Sequence, residues 1–277
     1  MAGAKLFGRD GILPADIKQG GLGNCWFLAA SASLAEHKGR LEAVFEKKLN
    51  VTGGYAVNLF TLGAPSTVVI DDFIPMIDGE PMAAKQANDG AIWPIILEKA
   101  LAKMQGNYYH IAGGQGYNGI RFMRGGPWHR KEIKFMTTDQ IWDFIGDKLS
   151  NGDLITAGTP GESDSNKDKW GIVQSHAYTV AGRVTLSDGE KLVRIRNPWG
   201  KDSYRGQYGA DSPKWTSTLE KEVPDAKNSD DGYEYLPINQ FKVSFKSLAA
   251  NHNAEKMKMD YFMMLDDKSK NKPKAGV

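Results

Sequence analysis

Cysteine is almost missing from this 277-residue chain, in which Cys25 stands alone. One thiol excludes an intramolecular disulfide and any zinc site built on several thiolates, and it fits a reducing compartment. An excess of one charge is missing too. Lys and Arg total 35 against 33 Asp and Glu, so the net charge of +2 offers no electrostatic reason to expect nucleic acid or an anionic membrane as partner. There is no long hydrophobic run: Cys25 to Ala35 is far short of the roughly 20 residues that span a bilayer, and Met1 to Asp10 has no apolar signal-like region. These absences predict no membrane insertion and a cytoplasmic protein. The one glycosylation sequon, Asn50-Val51-Thr52, is a short pattern that arises by chance. No internal repeat of roughly 20 to 50 residues is visible, which excludes solenoids and propellers.

What is present suffices for a core. Hydrophobic residues make up 41% and aromatics 10%, too apolar and too evenly charged for disorder, in a length that suits one large domain or two modest ones. Cys25 to Ala35 has no interior Gly or Pro and predicts a buried helix with Asn24 as its N-cap. Tyr55 to Leu62 and Thr67 to Ile70, bounded by glycines and Pro75, predict two strands of a small sheet. Trp93, Ile96, Leu97, Ala100, Leu101 and Met104 recur at helical spacing over Ile92 to Met104, with Pro94 in the tolerated first turn. Gly106 to Pro127 holds the densest run of glycines and reads as a hinge; its Gly113-Gly114-Gln115-Gly116 follows no expected strand and opens no expected helix, so it makes a poor phosphate loop. A third helix follows Thr138, carrying Ile141, Trp142, Ile145 and Leu149. The pattern then changes to period two. Ala177 to Val184 and Lys191 to Arg196 flank Ser187-Asp188-Gly189 as a hairpin, Phe241 to Phe245 and Tyr261 to Leu265 predict short strands, and the Lys-rich end after Asp266 a loose tail.

The chemistry starts from the thiol. An unperturbed cysteine has a pKa of about 8.5, which a helix N-terminus and a neighbouring imidazolium can lower; Cys25 sits at an expected helix start, whereas a lone cysteine is otherwise a small hydrophobe. Of five histidines, His37 lies on the same helix about three turns away and cannot be the base. His110, His129 and His252 read as solvated surface residues. His176 begins an alternating strand whose hairpin partner ends in Asn197. Simple pairing leaves the two about four residues out of register, so a longer loop or a bulge, near Gly182, is needed to bring them opposite. An Asn amide accepting from one ring nitrogen would fix the tautomer and leave the other facing the sulfur. Gln19, six residues before Cys25 in a glycine-rich turn, has the carboxamide an oxyanion needs.

Gln19-Gly20-Gly21-Leu22-Gly23-Asn24-Cys25-Trp26-Phe27-Leu28-Ala29-Ala30, Ser175-His176-Ala177-Tyr178 and Arg196-Asn197-Pro198-Trp199-Gly200 closely resemble the three catalytic blocks of the calpain cysteine proteases. Val69 to Pro75, Trp93 with Leu97-Glu98-Lys99-Ala100, and Asp230-Asp231-Gly232 support the match, which runs from about Leu6 to Leu265. The resemblance implies an α+β, papain-like core with its cleft between two subdomains: residues 1–125, helical and bearing Cys25, and 126–265, built on antiparallel β structure and bearing His176 and Asn197. A flexible tail, 266–277, would follow. It implies Cys25 as nucleophile, His176 as general base and acid, Asn197 as its orienting partner and Gln19 as oxyanion donor. Substrate contacts would fall on Gly114 and on Ser175, where a glycine is usual, and Trp199 matches the tryptophan that wedges between the subdomains of inactive calpains. The partners implied are protein or peptide substrates, with any regulatory protein left open.

Calpain cores are switched by calcium, which takes six to eight oxygen ligands. Asp16 and Asp231 remain as residual metal ligands, but Ala91, Ser203 and Tyr233 stand where the resemblance calls for acids, and Asp211 aligns only with a gap. Pro14 and Tyr233 replace an arginine and glutamate that pair across the subdomains. We therefore expect no required cofactor and weak or no calcium activation. Asp164-Ser165-Asn166-Lys167-Asp168 lacks the glycine and closing glutamate of an EF-hand. The alternative reading is a calpain-fold peptide-binding or scaffolding module with little catalysis; a papain-like acyltransferase would share the constellation without the calpain blocks.

Overall fold

The computed structural model describes residues 3–46 and 53–257. Helix α1 (Cys25–Ala35) comes first, and every residue from Trp26 to Ala35 is buried. Apolar side chains all round a helix need partners all round it. A hairpin follows, β1 (Gly54–Thr61) with β2 (Ala64–Asp71), closed by Leu62 and Gly63 at φ of 51° and 86°. Two positive φ values in a two-residue turn suit the right-handed twist of the strands. The second strand starts earlier than expected and takes in Pro65, which a two-stranded ribbon tolerates at its edge. The short pair β3 (Met76–Ile77) and β4 (Glu80–Pro81) leads to helix α2 (Trp93–Gln105), whose Trp93, Ile96, Leu97 and Leu101 are fully buried.

Helix α3 (Gly116–Arg124) occupies the glycine stretch in which no helix was expected. The glycines are there for close approach. A Cβ on Gly119 would come within 2.6 Å of Ala30 Cβ, and one on Gly116 within 2.5 Å of Thr156 Oγ1, so the close approach of α3 to α1 and to the strand bearing Thr156 depends on the missing side chains. Gly125 and Gly126, both at positive φ, end α3 and lead into β5 (Trp128–Glu132). Helix α4 (Thr138–Ser150) is held at its start by a reciprocal cap: Gln140 N–H to Thr137 Oγ1 at 3.1 Å and Thr137 N–H to Gln140 Oε1 at 2.8 Å.

The remaining elements are β6 (Leu154–Gly158), β7 (Ala177–Thr185), β8 (Lys191–Arg196), α5 (Ser217–Glu222), β9 (Tyr233–Pro237), α6 (Ile238–Ser244) and β10 (Ser247–Asn251). Six strands form one antiparallel sheet in the order β5-β10-β6-β7-β8-β9. The expected strand Phe241 to Phe245 is instead mostly α6. Residues 241, 243 and 245 alternate, but Val243 is exposed while Phe241 and Phe245 are buried and stack at 4.4 Å, one helical turn apart. The expected strand at Tyr261 to Leu265, the tail and the sequon lie outside the described residues.

One apolar cluster gathers α1, α2, α3 and the first hairpin; a second lies between the six-stranded sheet and α4 and α6; a smaller third surrounds Trp215. Leu154 and Ala177 of the sheet join the first cluster, and Thr179 Oγ1 donates to Ala29 C=O at 2.6 Å. Helix α1 is therefore sandwiched between α3 and the β6–β7 part of the sheet, which accounts for its burial on every side.

Candidate active site

Cys25 is the first residue of α1, at the line where the helix meets the start of β7. Asn24 precedes it, but its side chain does not cap the helix. It donates instead to the buried Glu98 of α2, which also accepts from Ala84 N–H at 2.9 Å. Glu98 is a residue the motifs flagged without a role, and it fixes the turn leading into Cys25. Burial pushes the Cys25 thiol up from its ordinary pKa, and the nearby charge of Asp164 adds to this, while the backbone N–H groups of Ala177 and Trp26 act the other way. The lowering expected at a helix start is outweighed by desolvation.

His176 immediately precedes β7. Its N–H donates to Thr159 Oγ1 at 2.9 Å, and its C=O accepts from Thr159 N–H at 3.0 Å, so the end of β6 clamps its backbone. Thr159 carried no signal in the sequence. Between Val180 and Gly182 the β7–β8 register shifts, leaving Ala181 as the bulge expected near Gly182. Thr179 then faces Arg196, the ribbon closes up by one residue, and the His176 ring reaches Asn197 just beyond β8, with Nε2 to Oδ1 at 3.0 Å. The same Oδ1 accepts from Trp199 N–H at 3.0 Å. A backbone N–H can only donate, so the shared atom is the amide oxygen and Nε2 must carry the ring hydrogen. The neutral imidazole thus presents Nδ1 as a lone pair.

Nδ1 is buried and has no hydrogen-bond partner, the thiol included. Burial drives His176 down to about 4, with Asn197 and Asp164 acting in the opposite sense. Thiol and imidazole line the same cleft of about 450 Å³ as a neutral pair. Gly114, Tyr117 and Arg130 line it from the first half of the chain, and Gly158, Asp164 and Ser175 from the second. Gly114 lies against the Trp26 indole, which a Cβ would overlap. Ser175 has φ of 48°, a left-handed conformation that explains why glycine is usual there. Trp199 is not among the lining residues; its ring packs on the second apolar cluster, 4.9 Å from the His176 ring. Gln19 is likewise not among the lining residues; its Nε2 donates to Leu22 C=O at 2.8 Å, which leaves one N–H of the carboxamide uncommitted.

The residual calcium candidates are engaged elsewhere. Asp16 Oδ2 accepts from Trp93 Nε1 at 2.7 Å and Leu13 N–H at 2.9 Å; Asp231 accepts from Tyr233 N–H at 2.8 Å and Asn228 Nδ2 at 2.9 Å. Asp202 and Glu234 each keep one buried, unpartnered oxygen, and burial with their mutual repulsion raises Asp202 to about 8, while burial lifts Glu234 to about 7. No group of three or more His, Cys, Asp or Glu suited to a metal occurs among the described residues. No helix among them is long and apolar enough to cross a membrane.

A family model described as calpain family cysteine protease matches residues 1–252. The calpain-type cysteine protease DEK1 of Zea mays is 32% identical over 241 residues, covering 84% of this chain and 11% of that protein. Calpain-9 of Mus musculus is 32% identical over 247 residues, covering 85% of this chain and 36% of that protein. The chain thus spans about a tenth to about a third of the length of these relatives. A solved structure of the bromelain protease from Ananas comosus in complex with the E64 inhibitor aligns with 86% of this chain and 94% of that one, at 15% identity and a TM-score of 0.34.

Proposed function

Since this chain belongs to the calpain family of cysteine proteases, we propose that it is an endopeptidase working through a Cys-His-Asn mechanism, with weak or no dependence on calcium. The observation that carries this reading is the shared Asn197 oxygen, which puts the ring hydrogen on Nε2 and leaves Nδ1 as a base in the cleft that Cys25 lines. A substrate lies extended in the cleft. Nδ1 takes the thiol proton as sulfur attacks the scissile carbonyl, and Cys25 N–H with the free Gln19 N–H receives the developing oxyanion. The imidazolium then protonates the leaving amine. Water, deprotonated by Nδ1, then attacks the thioester carbon; the C–S bond breaks, the acid product leaves, and the proton on Nδ1 returns to the sulfur. Because burial favours the neutral form of both groups, proton transfer accompanies attack instead of preceding it. The calcium part of the reading is supported by the commitment of Asp16 and Asp231 to protein donors.

One observation favours a second reading, a peptide-binding module with little catalysis: no hydrogen bond joins the thiol to the ring. Cleavage of a fluorogenic peptide library, in chelator and in calcium, separates the two. We expect cleavage and epoxide labelling by the intact protein, neither by Cys25→Ala, a loss of about 100- to 1000-fold for Gln19→Ala, and equal rates with and without the ion. Absence of cleavage and labelling would establish the module, and a steep rise at micromolar calcium would overturn the calcium reading.

A further inference from the structure

The far end of α1 is tied to the strand that leads to Asn197. Glu36 caps the C-terminus of the helix that begins at Cys25. Tyr233, opposite Arg196 across β8–β9, donates its hydroxyl to Glu36 Oε1. Arg194 supports both partners: Nη1 lies 3.8 Å from Glu36 Oε2, and the guanidinium lies 3.6 Å from the Tyr233 ring centroid. Arg194 is itself held by Asp225, Nη2 to Oδ2 at 2.8 Å.

The near end of the helix is tied to the same strand. Arg196, fully buried, donates through Nη2 to Ile17 C=O at 3.1 Å, and Gln19 N–H donates to Pro198 C=O at 3.0 Å. Between these points Asn197 N–H donates to Gly232 C=O at 2.8 Å, next to Tyr233. Residues 194–198 therefore grip the chain both before and after α1. Arg196 keeps Nε and Nη1 buried without hydrogen-bond partners, its guanidinium 5.8 Å from the Tyr233 ring centroid.

We propose that Glu36 and Tyr233 are positioning residues: their bond, braced by Arg194, sets the angle of α1 against the end of β8 and so the approach of the Cys25 sulfur to His176. The inference rests on the peptidase reading above. Its test uses the full chain with Tyr233→Phe, which removes one oxygen, and Glu36→Gln, which keeps the size and removes the charge. We expect each to lower kcat by about 10- to 100-fold with KM within about twofold, and the double variant to be no worse than the more impaired single one. The chain's one cysteine provides a readout independent of peptide cleavage. The pH profile of Cys25 alkylation by iodoacetamide should differ from wild type in both variants while circular dichroism stays native. Unchanged kcat and alkylation profiles, or losses that only track the folded fraction, would overturn the inference. Should Glu36→Gln fail to fold, Tyr233→Phe carries the test; if neither folds, the contact is structural and the inference falls. If the wild type cleaves no peptide, the peptidase reading fails by itself, and the alkylation profiles still decide whether this contact orients the thiol.

Discussion

The two walls of the cleft hold their reacting groups by different means. Cys25 stands at the head of a helix whose other residues are buried on every side, so its depth and position follow chiefly from apolar packing against α3 on one face and the sheet on the other, which leaves only the angle of the helix to the Glu36 tether. His176 is held by hydrogen bonds: a backbone clamp to Thr159, a ring bond to Asn197, and a second donor on that same oxygen from Trp199. Packing is non-directional and fixes where an atom is, whereas hydrogen bonds have direction and polarity. A nucleophile on a single bond from its helix needs the first. A two-faced ring that must tie down one nitrogen and leave the other free needs the second.

That contrast can be broken on either side. The largest effect should come from the packed wall: Phe27→Ala, at a site with no exposure, should cost about 3–5 kcal/mol in urea unfolding, with no change in how stability varies with pH. A pH-dependent loss there would mean that packing and ionisation are coupled across the cleft. The next effect belongs to the other wall. His176 titrates at about 4 when folded against about 6.5 unfolded, so the unfolded chain binds more protons between these values. Its contribution is complete above about pH 6.5 and diminishes as pH falls toward 4, by roughly 3 kcal/mol in all. Glu98 and Glu234, raised to about 7, and Asp202, raised to about 8, pull the opposite way, losing stability as pH rises. The His176 component is therefore read as a difference: wild type minus His176→Gln should rise from pH 4 to 6.5 and be flat above. A flat difference throughout would show that the ring is not desolvated. The smallest effect is Ser175→Gly, expected to gain about 1 kcal/mol by relieving a left-handed non-glycine residue; a loss would mean that the Ser175 side chain contributes more than its backbone costs.

Legibility in the sequence follows the same division. Helix α1 was readable as an apolar run without interior Gly or Pro, and α2 and α4 from apolar residues at helical spacing. The β7–β8 hairpin was readable from alternation about a glycine turn, and the need for a bulge from counting residues between His176 and Asn197. Helix α3 was not, because its glycines serve contact with Phe27, Ala30 and Thr156, partners that no local rule supplies. Helix α6 was missed because Phe241 and Phe245 satisfy both a period of two and a spacing of four. Asn24 was read as a cap because local rules see only its neighbours, whereas Glu98, its true partner, is 74 residues away. The site's residue types were visible as motifs; Thr159, Glu98 and Glu36, which hold them, are long-range companions without a motif of their own.

Ala181, the spare residue of the β7–β8 ribbon, has a consequence for how this hairpin could change in length. Side chains on a strand alternate between two faces, so removing one paired residue between the bulge and the turn, on one strand only, turns everything before it to the other face. Ala181 is the exception: Val180 already faces Ile195 and Gly182 faces Arg194, so without Ala181 these pairs become neighbours and Ala177 to Val180 keep their faces, losing only the local bend and twist of the bulge. At the tip, Ser187 to Gly189 lies beyond the paired residues, and lengthening there leaves the frame of His176 untouched. The hairpin can change length at its end or at its bulge, and at neither place does the imidazole change sides.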